Sequence, residues 1–263
     1  MTDKLLISIA TTAYDEAPNL PLLHERIVRS LEPTGHPFEI VITDNGSSDG
    51  SLSVIEALRA KDPRVKYVSL SRNFGHQGGL LAALDHCQGE AVICMDADLQ
   101  HPPEVIPEMI RRWQEGYNVV YTVKNEEGTS WLRRRANQLF YALVSYLSGI
   151  DLTGGQADFR LMDRASLDAM LSLRENNKFL RGLSKWVGFS QTAIVFDVAE
   201  RHKGQSKFRF FHLWRFALDG LFSFSAIPIH VFAAVGAGIS LLSLLYFLVV
   251  ICVGIGVWFF GFD

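Results

Sequence analysis

Residues 91–104 read AVICMDADLQHPPE, an apolar run followed at once by acids, an amide and prolines. The apolar run predicts a buried β-strand. If the chain stays extended after it, alternation places Asp96, Asp98 and Gln100 on one side. Carboxylate and amide oxygens are the ligands that Mg²⁺ and Mn²⁺ prefer, so this side predicts a metal that holds a diphosphate. An Asx turn with a helix cap explains the same residues without a metal, because Asp and Pro both favour such positions.

Three further strand-like runs precede this one, and helix-like segments separate them. The four runs are LLISIATTAY (5–14), FEIVITDNG (38–46), VKYVSLSRN (65–73) and AVICMDAD (91–98), and the helical segments cover 19–31, 52–60 and 79–87. Such β-α-β repeats predict an α/β fold, with a Rossmann-like, mostly parallel sheet and helices on both faces. Ligands of such sheets bind beyond the carboxyl ends of the strands. The polar clusters at these ends therefore predict one shared site, formed by residues 14–16, 44–49, 71–77 and 96–100.

Composition and the absence of certain motifs narrow the class of protein. The formal net charge is -3 and the pI is about 6.2, which argues against a nucleic-acid partner, because such proteins usually carry a basic surface. The three cysteines are too few and too scattered for a disulfide framework or a zinc site. The sequence lacks both a P-loop motif and a G-x-G-x-x-G directly after the first strand, so these two kinds of nucleotide site are not predicted.

The carboxyl-terminal stretch predicts a membrane span. No Asp, Glu, Lys or Arg occurs between Asp219 and Asp263, and residues 229–260 are almost wholly apolar. A helix that crosses the hydrocarbon core needs about 20 residues, so the stretch predicts one transmembrane helix over 229–260. Basic residues precede this helix and none follows it, which places the amino-terminal domain in the cytoplasm of an integral membrane protein. The alternative is a buried core helix.

Two segments ahead of this helix are typical of a membrane surface. Residues 131–149 place leucines and alanines at helical spacing and carry Arg133 near the start, which predicts an amphipathic helix on anionic lipid. A core-facing helix with a solvated basic face is the alternative. Residues 209–228 combine Phe and Trp with arginines and predict an interfacial aromatic helix. Glycines at 236, 238, 254 and 256 would permit close helix packing and hence a homo-oligomer.

Several motifs occur together along nearly the whole chain. They are TTAYDEAPNL (11–20), VITDNGSSDGS (41–51), SRNFGHQGGLLAAL (71–84), MDADLQHPPEVIPEM (95–109), ADFRLMDR (157–164), RHKGQSKF (201–208) and LFSFSAIP (221–228). In this order they resemble the family 2 glycosyltransferases of GT-A fold, most closely the polyprenyl-phosphate glycosyltransferases. The resemblance implies a catalytic domain over residues 1–208 that includes the amphipathic helix.

The same resemblance implies an activity and its partners. The enzyme would move a sugar, with glucose favoured, from a UDP-sugar or GDP-sugar, with UDP favoured, to a polyprenyl phosphate with inversion. Mg²⁺ or Mn²⁺ would be the cofactor. The lipid bilayer would be the bacterial inner membrane, with the catalytic domain on its cytoplasmic face. No nucleic acid is implied.

Site residues follow from the resemblance position by position. The implied nucleotide-sugar-binding residues are Thr12, Tyr14, Glu16, Ile42, Asp44, Asp96, Ala97 and Lys124. The implied metal ligands are Asp98 and Gln100, with Asp96 beside them. The residues implied for the lipid phosphate are Lys124, Arg133, Arg201, Ser206 and Lys207, of which Arg201 and Lys207 are also implied in catalysis.

The role of Asp158 stays open at the level of the sequence. The family position is proposed as a base or a sugar-orienting group, so the resemblance implies a catalytic residue. A structural role, in which Asp158 pairs with Arg160 or caps a turn, is the alternative. A phosphate monoester has a second pKa of about 6 and is largely ionised at neutral pH, so it needs no strong base.

The sequence departs from the commonest family pattern in two places. Asp15 stands where Asn is usual, and Asn45 stands where a second Asp is usual. Both keep a hydrogen-bonding group, so the departures bear on nucleotide preference more than on activity. His76 and His101 lie close enough to the predicted site to contact it, but they are interpreted first as ordinary loop residues.

Other functions are compatible with parts of the pattern. A catalytically inactive, membrane-bound module that binds a glycan or a lipid phosphate would share the fold. The intact DADLQ motif argues against it. A processive polysaccharide synthase would usually carry Q-x-x-R-W and several spans, which the sequence lacks. A nucleotidyltransferase would explain the fold but not the apolar helix.

Overall fold

The structure is a computed structural model that describes residues 5–125, 135, 156–173, 180–197 and 227–261. Its strands are β1 (Ile7–Ala13), β2 (Phe38–Asp44), β3 (Val65–Ser69), β4 (Ala91–Asp96), β5 (Val119–Lys124), β6 (Gln156–Asp163) and β7 (Gln191–Phe196). Its helices are α1 (Leu20–Leu31), α2 (Ser51–Lys61), α3 (Gly75–Asp85), α4 (Ile106–Gln114), α5 (Arg164–Ser172), α6 (Leu180–Trp186) and α7 (Ile227–Phe260).

The strands form one sheet in the order β3-β2-β1-β4-β6-β5-β7. All neighbouring pairs are parallel except those of β6, which runs antiparallel to both β4 and β5. The predicted mostly parallel α/β sheet is confirmed. Because β6 is reversed, its first residues lie at the edge where the other strands end. The register pairs Cys94 with Arg160, and continuing it by two residues brings Asp158 opposite Asp96.

Helices cover both faces of the sheet, as predicted. On one face, Ile7 and Ile9 of β1 belong to a core with residues of α1, α2 and α4. On the other face, Ala10 of β1 belongs to a second core with residues of α3, α5 and α6. Every residue of β1 and β2 is buried, which explains why these strands read as nearly continuous apolar runs. The two cores hold the strand ends, and therefore the site, in fixed positions.

Helix α7 is the described helix that is long and apolar enough to cross a membrane. The qualifying stretch, Ile229–Trp258, has a mean hydropathy of 2.6, and none of it is buried within the structure. A core helix would be covered by other elements, so the exposure of α7 argues against that alternative. The helix begins at Ile227, two residues before the predicted start at 229.

The two predicted interfacial segments fall mostly outside the described residues. Of the 131–149 segment, Arg135 alone is described, and it is helical and exposed. Of the 209–228 segment, the last two residues are described, as the start of α7. Both segments, and the domain boundary at 208, stay predictions.

Candidate active site

The ends of β1, β2 and β4 lie side by side. Thr12 of β1 is in register with Asp96 of β4 on one side and with Thr43 of β2 on the other. Thr12 is buried, and its Oγ1 has no hydrogen-bond partner among the described residues. Asp44 ends β2 next to this pair. The predicted convergence of strand ends is therefore present for these residues.

The loops after β1 and β2 are joined by short polar contacts. Asp44 is buried, and its Oδ1 accepts the Ser47 N–H at 3.2 Å. Asp15 has a φ of 55°, in the left-handed region that Asn and Asp tolerate best among residues other than glycine. Its Oδ1 accepts the Ser48 N–H at 2.8 Å, and its own N–H donates to Ser47 Oγ at 3.1 Å. An aspartate at position 15 thus fastens one loop to the other.

Asn45 connects the end of β2 to the loop that precedes α3. Its Nδ2 donates to the Gly75 carbonyl at 3.0 Å and to Asn73 Oδ1 at 3.3 Å. Its Oδ1 accepts the Phe74 N–H at 2.9 Å. Two of these three bonds need a donor that a carboxylate lacks. The departure from the family pattern at this position therefore has a local physical reason.

We expect Asn45→Asp to lower the free energy of unfolding by about 1–3 kcal/mol, because it removes two donor bonds and sets a carboxylate against the Gly75 carbonyl. Thermal unfolding of the purified chain measures the loss. Asn73→Asp is the matched control, since Asn73 Oδ1 accepts from Asn45 and from the Gly75 N–H, and a carboxylate accepts equally well. Equal losses in the two variants would contradict this account.

The acidic motif does not continue the strand. β4 ends at Asp96, a turn follows, and Leu99 has a φ of 66°. The extended backbone predicted beyond Asp96 is therefore wrong, although Ala97 and Leu99 are both buried in the core, on the side that alternation gave them. Asp98 Oδ1 accepts the Gln100 N–H at 3.1 Å, which is an Asx turn. The turn is compatible with a metal site, because a carboxylate has about four lone-pair positions and the Gln100 N–H uses one of those of Asp98.

The residues of this turn fit a divalent cation. Asp96 Oδ1 is buried and accepts no hydrogen bond from the described residues, and His76 Nε2 lies 3.3 Å from it, so its lone pairs are available to a divalent cation. No group of three or more His, Cys, Asp and Glu side chains in the described part of the chain could hold a metal by itself. Two carboxylates and the amide of Gln100 would leave positions to water and to a diphosphate, which is how Mg²⁺ is commonly bound.

His101 is in contact with Asp96 and is 2% exposed. The Asp96 N–H donates to His101 Nδ1 at 3.0 Å, so the ring proton is on Nε2, which lies 3.6 Å from Asp96 Oδ2. The ring stacks on Phe159 with centroids 5.3 Å apart. Burial lowers the pKa of His101 by more than the charge of Asp96 raises it, and the charge of Lys124 lowers it further, so the imidazole is neutral. His101 therefore contacts Asp96, which is the alternative that the sequence left open for it.

His76 lies between two carboxylates. Its Nε2 is 3.3 Å from Asp96 Oδ1, without the alignment of a hydrogen bond, and 3.6 Å from Asp158 Oδ2. Burial opposes a charge on the ring, but the contact with Asp158 and the charges of Asp96 and Asp158 outweigh it and raise the pKa of His76 to about 9. The interpretation of His76 as an ordinary loop residue misses this contact.

Asp158 is held mainly by Arg181 of α6. The guanidinium donates from Nε to Oδ1 at 2.6 Å and from Nη2 to Oδ2 at 2.9 Å, a two-point contact. Burial would raise the pKa of Asp158, but Arg181 and His76 together hold it well below its usual range. Arg160, the partner considered from the sequence, is 3.9 Å away.

Arg160 is a buried anchor between β6 and α6. It is 1% exposed, and it donates to the carbonyls of Leu180 and Ala157 and to Ser184 Oγ. All three acceptors lie inside the fold, so the guanidinium does not reach the surface at the ends of the strands. Arg160 therefore places α6, and with it Arg181, beside Asp158.

The remaining predicted site residues are placed in different ways. Tyr14 is 36% exposed, and Glu16 accepts the Asn19 side-chain N–H at 2.6 Å just after β1. Ile42 and Ala97 are buried in the core. Lys124 ends β5 at the same edge of the sheet. Arg133, Arg201, Ser206 and Lys207 lie outside the described residues.

Known proteins resemble this chain in sequence. Residues 8–171 match Glycosyl transferase family 2. A bactoprenol glucosyl transferase of Shigella phage SfV is 36% identical over 241 residues, which cover 91% of this chain and 78% of that protein. An uncharacterized glycosyltransferase of Synechocystis sp. is 41% identical over 254 residues, which cover 95% of this chain and 80% of that protein.

Solved structures share the fold. The mannosyltransferase PcManGT from Pyrobaculum calidifontis, solved with GDP-Man and Mn²⁺, has a TM-score of 0.56 at 20% identity over 82% of this chain and 61% of that one. Glucosyl-3-phosphoglycerate synthase from Mycobacterium tuberculosis has a TM-score of 0.54 at 18% identity over 83% of this chain and 79% of that one. These likenesses confirm the predicted GT-A fold. The family match over residues 8–171 and the sequence relatives lead to one conclusion: the chain is a member of glycosyl transferase family 2.

Proposed function

We propose that the chain transfers a sugar from a nucleotide-sugar to a polyprenyl phosphate at the cytoplasmic face of a bacterial membrane, with inversion, and that UDP-glucose is the donor. The main support is the cluster at the sheet edge, where Asp96, Asp98 and Gln100 lie beside the open ends of β1 and β2. The relatives named as bactoprenol glucosyl transferases support the choice of sugar and acceptor.

The donor site follows from the strand ends. Thr12, Tyr14, Glu16 and Asp44 would surround the base and ribose, because they close β1 and β2. Asp96, Asp98 and Gln100 would hold Mg²⁺ or Mn²⁺. When bound, the metal supplies positive charge for the diphosphate that departs from the sugar. Ile42 and Ala97 belong to the core and would pack directly beneath the nucleotide.

The acceptor supplies its own nucleophile. A phosphate monoester has a second pKa of about 6, so at neutral pH it attacks the anomeric carbon without an added base. The chain must then align two phosphates that repel each other. Lys124 at the end of β5 is a cation at this edge of the sheet, and Arg133, Arg201, Ser206 and Lys207 are proposed to share the task.

The apolar helix α7 supports a lipid acceptor. A polyprenyl phosphate stays in the bilayer, so an enzyme that uses it gains from being held there. Ile229–Trp258 is apolar enough to provide that anchor, and the basic residues ahead of it favour a cytoplasmic catalytic domain.

The test is release of UDP from UDP-glucose by protein purified in detergent, with Mn²⁺ and a short-chain polyprenyl phosphate. We expect release to need both the metal and the lipid phosphate. The matched control is the corresponding polyprenol, which has the same tail and no phosphate. If UDP-glucose is inactive, a panel of UDP-sugars and GDP-sugars tests the donor. No release with any donor of the panel would refute the transferase and favour a binding module.

A further inference from the structure

Asp158 is poorly placed to act as a base on the acceptor. It is 5% exposed, and Arg181 occupies both of its oxygens, at 2.6 and 2.9 Å. Gln77 Nε2 adds a third contact to Oδ2 at 3.4 Å. A general base must come within hydrogen-bond reach of the proton that it removes, about 2.6–3.2 Å. Of Asp158, Arg181 and His76, the most exposed side chain is that of His76, at 38% against 24% for Arg181 and 6% for Asp158.

His76 is held at a defined place. It is the second residue of α3, and Asn45 fixes the Gly75 carbonyl immediately before it. On its other side, Gln77 Oε1 accepts the Leu180 N–H at 3.3 Å and so joins the start of α3 to the start of α6. The backbone position of His76 is therefore set by contacts of its two neighbours in the chain.

One ring nitrogen faces both carboxylates. Asp96 and Asp158 each lie two residues beyond the paired Cys94 and Arg160 of β4 and β6, and like charges that face each other across strands repel. Nε2 of His76 lies 3.3 Å from one and 3.6 Å from the other. An imidazole nitrogen between them reduces this repulsion by electrostatic attraction to both, without a hydrogen bond, and so favours one direction of the Asp96 carboxylate. Groups that orient a metal ligand in this way strongly affect the affinity of the metal.

We propose that His76 is a positioning residue for Asp96, and that Asp158 and Arg181 act on the donor site through His76 and not on the acceptor phosphate. The inference rests on the proposed function, because it assigns Asp96 to the site of the donor diphosphate. It predicts that damage to Asp158 weakens binding of the nucleotide and metal and leaves the KM for the lipid acceptor unchanged.

The test compares His76→Leu, His76→Gln, Asp158→Asn and the double variant His76→Leu/Asp158→Asn. The primary readout is Mn²⁺-dependent binding of UDP by titration calorimetry, which requires neither sugar transfer nor lipid. We expect His76→Leu and Asp158→Asn each to weaken binding about 10–100-fold. The double variant should be no weaker than His76→Leu, because both changes break one chain of contacts. His76→Gln, which retains a donor nitrogen, should recover most of the affinity.

His86→Leu is the matched control, because His86 is an exposed histidine that follows the carboxyl end of the same helix. It should bind UDP like the wild type. Thermal unfolding checks that each variant is folded, and the pair His76→Gln and Asp158→Asn decides the question if His76→Leu does not fold. Asp158→Asn that lowers kcat with unchanged UDP binding would overturn the inference and favour a base.

The outcomes also separate this inference from the proposed function. If the binding results are as expected but no sugar reaches a polyprenyl phosphate, the choice of acceptor is wrong and the role of His76 stands. If the wild type binds neither UDP nor GDP with Mn²⁺, both are wrong. Losses that simply add in the double variant would mean that Asp158 does not act through His76.

Discussion

Asp98→Ala is expected to reduce sugar transfer by about 10³-fold or more, because it removes a carboxylate from the proposed metal site. Asp98 is 9% exposed, and its turn lies directly after the central strand β4. The measurement is UDP release at saturating UDP-glucose and lipid phosphate, over a range of Mn²⁺ concentrations. Added Mn²⁺ should not restore the rate.

Asp98→Asn separates the metal from the Asx turn. An amide oxygen can accept the Gln100 N–H as Asp98 Oδ1 does at 3.1 Å, so the turn should survive. The amide lacks the negative charge that favours a divalent cation. We therefore expect Asp98→Asn to unfold at nearly the wild-type temperature and to lose nearly as much activity as Asp98→Ala. Near-normal activity in Asp98→Asn would mean that Asp98 acts only in the turn.

The fold could be predicted because strands at the centre of the sheet are buried on both faces. β1 and β2 read as apolar runs, and each ends at a polar cluster that marks the site edge. The reversal of β6 could not be predicted from such a pattern, because strand direction depends on connections that local composition does not encode. That reversal brings the start of β6, and so Asp158, to the same edge as Asp96.

Site residues could be predicted only where they form a short motif in the sequence. Asp96 and Asp98 stand at the end of an apolar run, and this pattern identifies them. Arg181 carries none, since it lies 23 residues beyond Asp158 and reaches it only because Arg160 anchors α6 to β6. The turn after Asp96 also escaped prediction, because the left-handed backbone of Leu99 leaves no pattern in the local composition.

Asp158 shows why a family position does not fix a mechanism by itself. The resemblance implies a base or a sugar-orienting group at this position. In the structure, the carboxylate of Asp158 is buried and accepts two hydrogen bonds from Arg181, and its pKa is well below the usual range. Such a group is a poor proton acceptor at neutral pH. An acceptor phosphate that is already ionised makes a base unnecessary, so the chemistry and the geometry agree.

Gly46→Ala is expected to lower the free energy of unfolding by about 2–4 kcal/mol, because it adds a clash to an unfavourable backbone conformation. Gly46 has a φ of +72°, and a Cβ there would lie 2.6 Å from the carbonyl carbon of Arg72 and 2.9 Å from the Asn73 nitrogen. Both contacts are with backbone, so no side chain can rotate away. The loop before α3 would have to move, and His76 with it, so binding of UDP should weaken as well.

Gly50→Ala measures the cost of a left-handed backbone conformation without a steric clash, in the same loop. Gly50 has a φ of +90°, but a Cβ there would meet nothing within 4 Å. The substitution should therefore lower the free energy of unfolding by about 1 kcal/mol and leave UDP binding unchanged. Thermal unfolding and calorimetric UDP titration of both variants provide the comparison. If Gly50→Ala is as damaging as Gly46→Ala, left-handed backbone strain alone explains both losses. A larger loss at Gly46, together with weaker UDP binding, would instead show that close packing of the loops after β2 and β3 shapes the donor site.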